Sequence, residues 1–157
     1  MLSIISPAFE PNGSIPPLYT CDSENKNPPL IISGVPEGAK SLTLIMDDPD
    51  IPQSVKDALG ILIFDHWLVF NIPPSVTEIQ EGAVPPGVEG NNTRGAASYR
   101  GPCPPDREHR YFFRLYALDA ILDLPLGASR VALEEAMKGH ILESAELMGR
   151  YNRSHHT

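Results

Sequence analysis

The chain has 157 residues, 17 of them proline and 12 glycine, which fits one domain on the usual scale of roughly 100–200 residues and excludes a helix bundle, because each interior proline costs a helix about 3 kcal/mol. Twenty acidic residues outnumber twelve basic ones, so neither nucleic acid nor an anionic membrane is expected as a partner held by net charge, although a local anion site remains compatible with an acidic protein.

The amino terminus, Met1-Leu2-Ser3-Ile4-Ile5-Ser6-Pro7, has no basic stretch followed by a long apolar run, so no signal peptide is expected. No run approaches the ~18 apolar residues of a membrane span. These features predict a soluble, cytoplasmic protein with no transmembrane segment, folded as a single domain over residues 1–157. Strand-like runs then follow at Leu2–Ile5, Leu30–Ser33, Ser41–Met46, Phe64–Ile72 and Tyr111–Leu118, each bounded by Pro, Gly or Asn. The continuous apolar stretches Leu30–Ile32 and Leu68–Phe70 suit strands of a two-layer structure. Glu81–Pro105, rich in Gly, Pro and Asn, reads as a long irregular loop, and such loops are usually functional. Near the end, Ser129 is placed to cap a helix over Arg130–Lys138. Beyond Gly139, the spacing of Ile141, Leu142, Ala145 and Met148 predicts a second helix over His140–Arg150. His155-His156 reads as a tail with no ligand geometry.

Three clusters could carry chemistry. Asp47-Asp48-Pro49-Asp50 closes a hydrophobic strand, where Pro49 stiffens a turn that presents carboxylates. Asp65-His66-Trp67 lies inside a strand, and period-two alternation puts His66 on the face opposite Trp67. Gly101-Pro102-Cys103-Pro104-Pro105 is a rigid loop in which glycine permits close approach of a ligand, and His109 and Tyr111 share a face just after it. Taken singly, each reads equally as a strand end, a satisfied core histidine or a stiff loop.

Together, and in this order, they resemble the phosphatidylethanolamine-binding protein family, which includes the Raf kinase inhibitor protein, in its bacterial and archaeal branch. The resemblance rests on Asp48-Pro49-Asp50-Ile51-Pro52, His66-Trp67-Leu68-Val69-Phe70-Asn71-Ile72-Pro73, and Gly101-Pro102-Cys103-Pro104-Pro105 with His109-Arg110-Tyr111. Tyr19-Thr20-Cys21-Asp22, Asn92 with Gly95, and Lys138-Gly139-His140-Ile141-Leu142 extend it over nearly the whole chain.

The resemblance implies a mainly β fold: an antiparallel sandwich of two sheets with two short carboxy-terminal helices. It implies a pocket at one end, formed by Asp48, Asp50, His66, Gly101, His109 and Tyr111, with Tyr151 on a helix near its mouth. The implied ligand is a small anion such as phosphate or a phosphoethanolamine-like head group, bound without metal or other cofactor and without enzymatic turnover. A protein partner such as a kinase or a protease is the further implication. Chemically, one aspartate can hold a histidine ring cationic while the other meets a phosphate proton or an ammonium group; the sequence does not assign the two roles. The alternatives are a metal-dependent hydrolase built from Asp47, Asp48, Asp50, His66 and His109, and a protease inhibitor. Ile51 stands where the family usually has alanine, Ala96-Ala97-Ser98 replaces a stretch that is often richer in glycine, and Ile51–Asp65 is a long spacer, expected to form an exposed hairpin or a short helical turn. Cys21 and Cys103 both fall in loop motifs that could approach each other, but a reducing compartment predicts free thiols.

Overall fold

A computed structural model describes residues 1–153; the His155-His156 pair lies outside the described residues. The chain forms β1 (Ser3–Ile5), β2 (Leu30–Ser33), β3 (Ser41–Asp48), α1 (Gln53–Leu59), β4 (Phe64–Ile72), β5 (Glu78–Ile79), β6 (Val88–Gly90), β7 (His109–Leu118), α2 (Arg130–Met137) and β8 (Ile141–Tyr151). A three-stranded sheet, β1-β2-β5, faces a five-stranded sheet, β6-β4-β3-β7-β8, and every pairing is antiparallel. The mainly β fold of two antiparallel sheets is therefore as expected.

The residues alternate as two cores require. Leu44, Met46, Val69, Phe113 and Leu115 meet Ile4, Leu30 and Ile32 between the sheets. On the outer face of the large sheet, Ile45, Leu68 and Phe70 meet Leu133 and Met137 of α2. With both faces covered, β3 is buried along its whole length and carries apolar residues on both faces, Leu42, Leu44 and Met46 inward and Ile45 outward. Ser129 caps α2, its hydroxyl accepting from the Ala132 amide at 3.1 Å. Of the two alternatives for the Ile51–Asp65 spacer, the helical turn is observed as α1, closed by Gly60 in the left-handed region at φ 67°.

The expected second carboxy-terminal helix is instead a strand. Residues 141–151 pair antiparallel with β7 from Leu118↔Ile141 to His109↔Tyr151. Leu, Glu, Ala and Met are good helix formers, but propensity is a weak force that tertiary context overrides, and the open edge of β7 offers a backbone ladder. Inward-facing Leu147, Gly149 and Tyr151 then follow period two, and Ile141 and Leu142, expected on a packed helix face, are exposed. Gly149 is required there, since an added Cβ would lie 2.6 Å from Ile15 and 2.7 Å from Phe9.

A buried ion cluster fixes α2 to the sheet. Asp47, fully buried, accepts from Arg114 Nε at 2.9 Å and from Arg130 at 2.9 Å, and Arg130 also reaches Asp65 at 2.7 Å. Arg114→Met would strip a buried carboxylate of one of its two cations, at an expected cost of about 3 kcal/mol. Glu108→Ala breaks only the exposed contact to Arg150 at 3.5 Å and should cost under about 1 kcal/mol. Urea unfolding of both variants checks the difference, and equal losses would contradict it.

Candidate functional site

The end of β3, the start of β4 and the start of β7 lie side by side, and the loop after β6 folds over them. They enclose a pocket of about 400 Å³ lined by Asp48, Phe64, His66, Gly101, His109 and Tyr111, with α1-side residues Ile51 and Val55 on one wall. Five of the six expected site residues are thus brought together.

Asp50 is the exception. Its carboxylate turns away from the pocket lining and grips Arg110, accepting from Nε at 2.8 Å, from a second guanidinium nitrogen at 2.8 Å and from the Arg110 amide at 2.9 Å. The Arg110 hydrogen bonds hold its pKa down at about 2. Asp50 therefore ties β3 to β7. The histidine-holding role falls to Asp48, whose Oδ2 lies 2.7 Å from His109 Nδ1 while Oδ1 accepts from the Asp50 amide at 2.7 Å. The other ring nitrogen of His109 meets Asp106 at 2.7 Å. Burial disfavours a charged ring here, but the bonds to Asp48 and Asp106 outweigh it and raise the pKa of His109. Two carboxylates can each accept only if both ring nitrogens carry protons, so His109 is an imidazolium clamped between them.

His66 behaves in the opposite way. Burial, opposed by its hydrogen bond to Arg100 and by the charge of Asp48, lowers its pKa to about 4. Nδ1–H donates to the Arg100 carbonyl at 2.6 Å, which leaves Nε2 as an acceptor. His66 and Trp67 were expected on opposite faces. They share the inner side, because Met46↔Trp67 is followed by Asp47↔Asp65 and His66 is the extra residue of a β-bulge. Its ring stacks 4.8 Å from Phe64 and meets Tyr111 edge-on at 5.3 Å.

The Tyr111 hydroxyl is fully buried and has no hydrogen-bond partner among the described residues. Burial keeps it protonated. Gly101 serves a different purpose from the one expected. Its N–H is already donated to Asn25 Oδ1 at 2.9 Å, and an added Cβ would lie 2.3 Å from that atom and 2.3 Å from the Tyr19 carbonyl. Glycine here admits the neighbouring chain.

Three arginines at the pocket, Arg94, Arg100 and Arg153, were missed by sequence reasoning. Their only signal was position, since each flanks a motif without belonging to it. Asp106 was missed as well; it lies three residues before His109 in the loop. Tyr151, expected near the mouth on a helix, is instead buried at the end of β8, with its hydroxyl on Asp22 Oδ2 at 2.5 Å.

The two cysteines, expected as free thiols, form a disulfide with a Cα separation of 5.4 Å. The compartment argument carried no geometry. Here Gly101 lets the proline loop lie against Tyr19–Thr20, and the Cys21 amide donates to the Pro102 carbonyl at 3.1 Å, which sets the two side chains within bridging distance.

Opposite titrations follow for the two pocket histidines. The folded pKa of His66 lies below its free value of 6.5, so its share of stability is present above that pH and is lost as pH falls towards 4. The folded pKa of His109 is raised, so its share is present below 6.5 and is lost as pH climbs through the raised value. Nitrogen-15 NMR at pH 5.5 should find His66 neutral with Nδ1–H and His109 carrying both ring protons. A His66 midpoint near 6.5 would contradict this account.

Residues 5–152 match the family model for phosphatidylethanolamine-binding protein. A protein of Methanothermobacter thermautotrophicus named only as a UPF0098 protein is 53% identical, over 93% of this chain and 95% of its own. A crystal structure from Chlamydia trachomatis, described as a homolog of phosphatidylethanolamine-binding protein, superposes with a TM-score of 0.91 at 45% identity, covering 96% of each chain. E. coli YbcL, described as a new member of the mammalian family, superposes at 0.83 with 28% identity, covering 96% of this chain and 97% of its own. The chain belongs to the phosphatidylethanolamine-binding protein family.

Proposed function

We propose that the protein binds a small oxyanion, of the phosphate or phosphomonoester class, in the pocket above His66, and that it acts by binding rather than by turnover. The observation that carries the reading is the unpartnered, buried Tyr111 hydroxyl beside a neutral His66. A hydroxyl donor next to an imidazole acceptor complements an oxyanion that bears one proton: P–O⁻ accepts from Tyr111, and P–O–H donates to His66 Nε2. Arg94, Arg100 and Arg153 supply positive charge around this centre in an otherwise acidic protein.

Binding without turnover is supported by how the remaining groups are used. Both nitrogens of His109 and both oxygens of Asp48 are already bonded, so this ion pair has no free position for passing a proton to a ligand. The hydrolase alternative is not favoured, because two of its five side chains lie away from the other three. Asp47 lies on the other face of the sheet with Arg114 and Arg130, and Asp50 turns to Arg110. Among the described residues, no group of three or more His, Cys, Asp or Glu is arranged to hold a metal ion.

An NMR titration of the full chain with inorganic phosphate and with phosphoethanolamine tests the proposal. Amides at Phe64–His66, Arg100–Cys103 and Tyr111 should shift. The affinity should be modest, about −4 to −6 kcal/mol, because few ligand atoms make contact. His66→Ala and Tyr111→Phe should each weaken binding by about 5–10-fold, the size of one hydrogen bond made in a buried site. If neither ligand shifts these amides, the proposal fails.

A further inference from the structure

The Cys21–Cys103 disulfide joins loops 82 residues apart in sequence, and Cys103 is part of the pocket lining. Both cysteines are solvent-exposed, so the bond is open to attack by a thiol. The Arg153 guanidinium stands over it, with one nitrogen 3.5 Å from Cys103 Sγ and two others on Asp22 Oδ1 at 3.0 and 3.1 Å. We infer that this disulfide is a reducible switch on the pocket, operated by a protein dithiol of the thioredoxin class.

The chemistry is asymmetric. A thiolate of the reductant attacks Cys21 Sγ and forms a mixed disulfide there, and the electron pair of the broken S–S bond leaves on Cys103. Arg153 stabilises that leaving thiolate, and a better-stabilised leaving group departs faster. The second thiol of the reductant then attacks its own sulfur in the mixed disulfide and releases Cys21. Two electrons pass to the protein, and the reductant ends as a disulfide.

The loop does not depend on the bond for its position. Gly101 N–H on Asn25, Cys21 N–H on Pro102 and the Tyr99 hydroxyl on the Tyr19 carbonyl at 2.8 Å all remain. What changes is charge. A neutral disulfide becomes an anion at the pocket wall, beside the guanidinium nitrogen that already lies 3.5 Å from Cys103 Sγ, and it offsets that cation's charge in the pocket. Reduction therefore weakens anion binding. This consequence rests on the proposed oxyanion site, whereas the reducibility of the bond and the asymmetry of its thiols do not.

The experiment treats the folded, full-length protein with a dithiol at pH 7 and follows each cysteine by iodoacetamide labelling and mass spectrometry. Both thiols should appear while the amide spectrum stays folded, and Cys103 should label about three times faster than Cys21. A thiol pKa about two units below its usual value makes the group mostly thiolate at pH 7, roughly 25-fold more than an unperturbed thiol, but a nucleophile about tenfold weaker. Arg153→Gln should bring the two rates together. A bond that yields only when the protein unfolds, or equal rates in the unsubstituted chain, overturns the inference. In parallel, phosphate affinity should fall several-fold on reduction, while the Cys21→Ala, Cys103→Ala double variant should be indifferent to dithiol. Equal affinity in the oxidised and reduced forms overturns the coupling to the pocket. If the oxidised protein binds no phosphate, it is the oxyanion reading that falls, and the labelling arm still decides the fate of the disulfide.

Discussion

Two neighbouring carboxylates at the end of β3 point to opposite faces of one sheet, and much of the molecule is arranged around them. Asp47 faces out to Arg114 and Arg130, and Asp48 faces in to His109. Removing each charge from water costs several kcal/mol unless a cation and good hydrogen bonds compensate. Strand alternation lets two adjacent anions be compensated separately, with no shared partner. The outward pair sets where α2 sits, since α2 buries only Leu133 and Met137 against the sheet. The inward pair sets the imidazolium that floors the pocket. One strand end thus positions both an outer helix and an inner site.

The fold was legible where the apolar pattern had one interpretation. The spans read for β2 and β4, and the cap at Ser129, match those observed. It was misread at residues 141–151, where helix-favouring residues build an edge strand whose conformation is set by β7, a partner more than twenty residues away. The five pocket-lining residues were legible because family motifs mark positions where strand ends and a glycine loop must meet. Asp50 falls outside the pocket lining for a physical reason: its partner Arg110 is sixty residues distant, and no local pattern tells a pocket carboxylate from a cross-strand tether. The bulge at His66 was equally invisible. Period-two reasoning assumes unbroken register, and a single extra residue reverses which ring faces the pocket.

The electrostatics of the site invert those of the whole. The chain carries a formal net charge of −8, yet Asp48, Asp50 and Asp106 are each absorbed by a cation or a backbone donor. Three arginines line the pocket, while Asp48 is committed to His109 and Asp50 turns away to Arg110. The field inside the pocket is set locally by groups within hydrogen-bonding reach.

The clasp between Asp48 and His109 spans sixty-one positions of chain, and the contact from Tyr151 to Asp22 spans one hundred and twenty-nine. The central pairing of β3 with β7 is similarly remote, from Ser41↔Leu118 to Asp47↔Phe112. Each such closure loses chain entropy before any contact compensates it. Proteins dominated by such pairings fold over milliseconds to seconds rather than microseconds. During that interval β3 exists as a bare apolar strand ending in two unpaired acids. Those charges act as a gatekeeper on this segment, restraining self-association until the arginines and the histidine arrive.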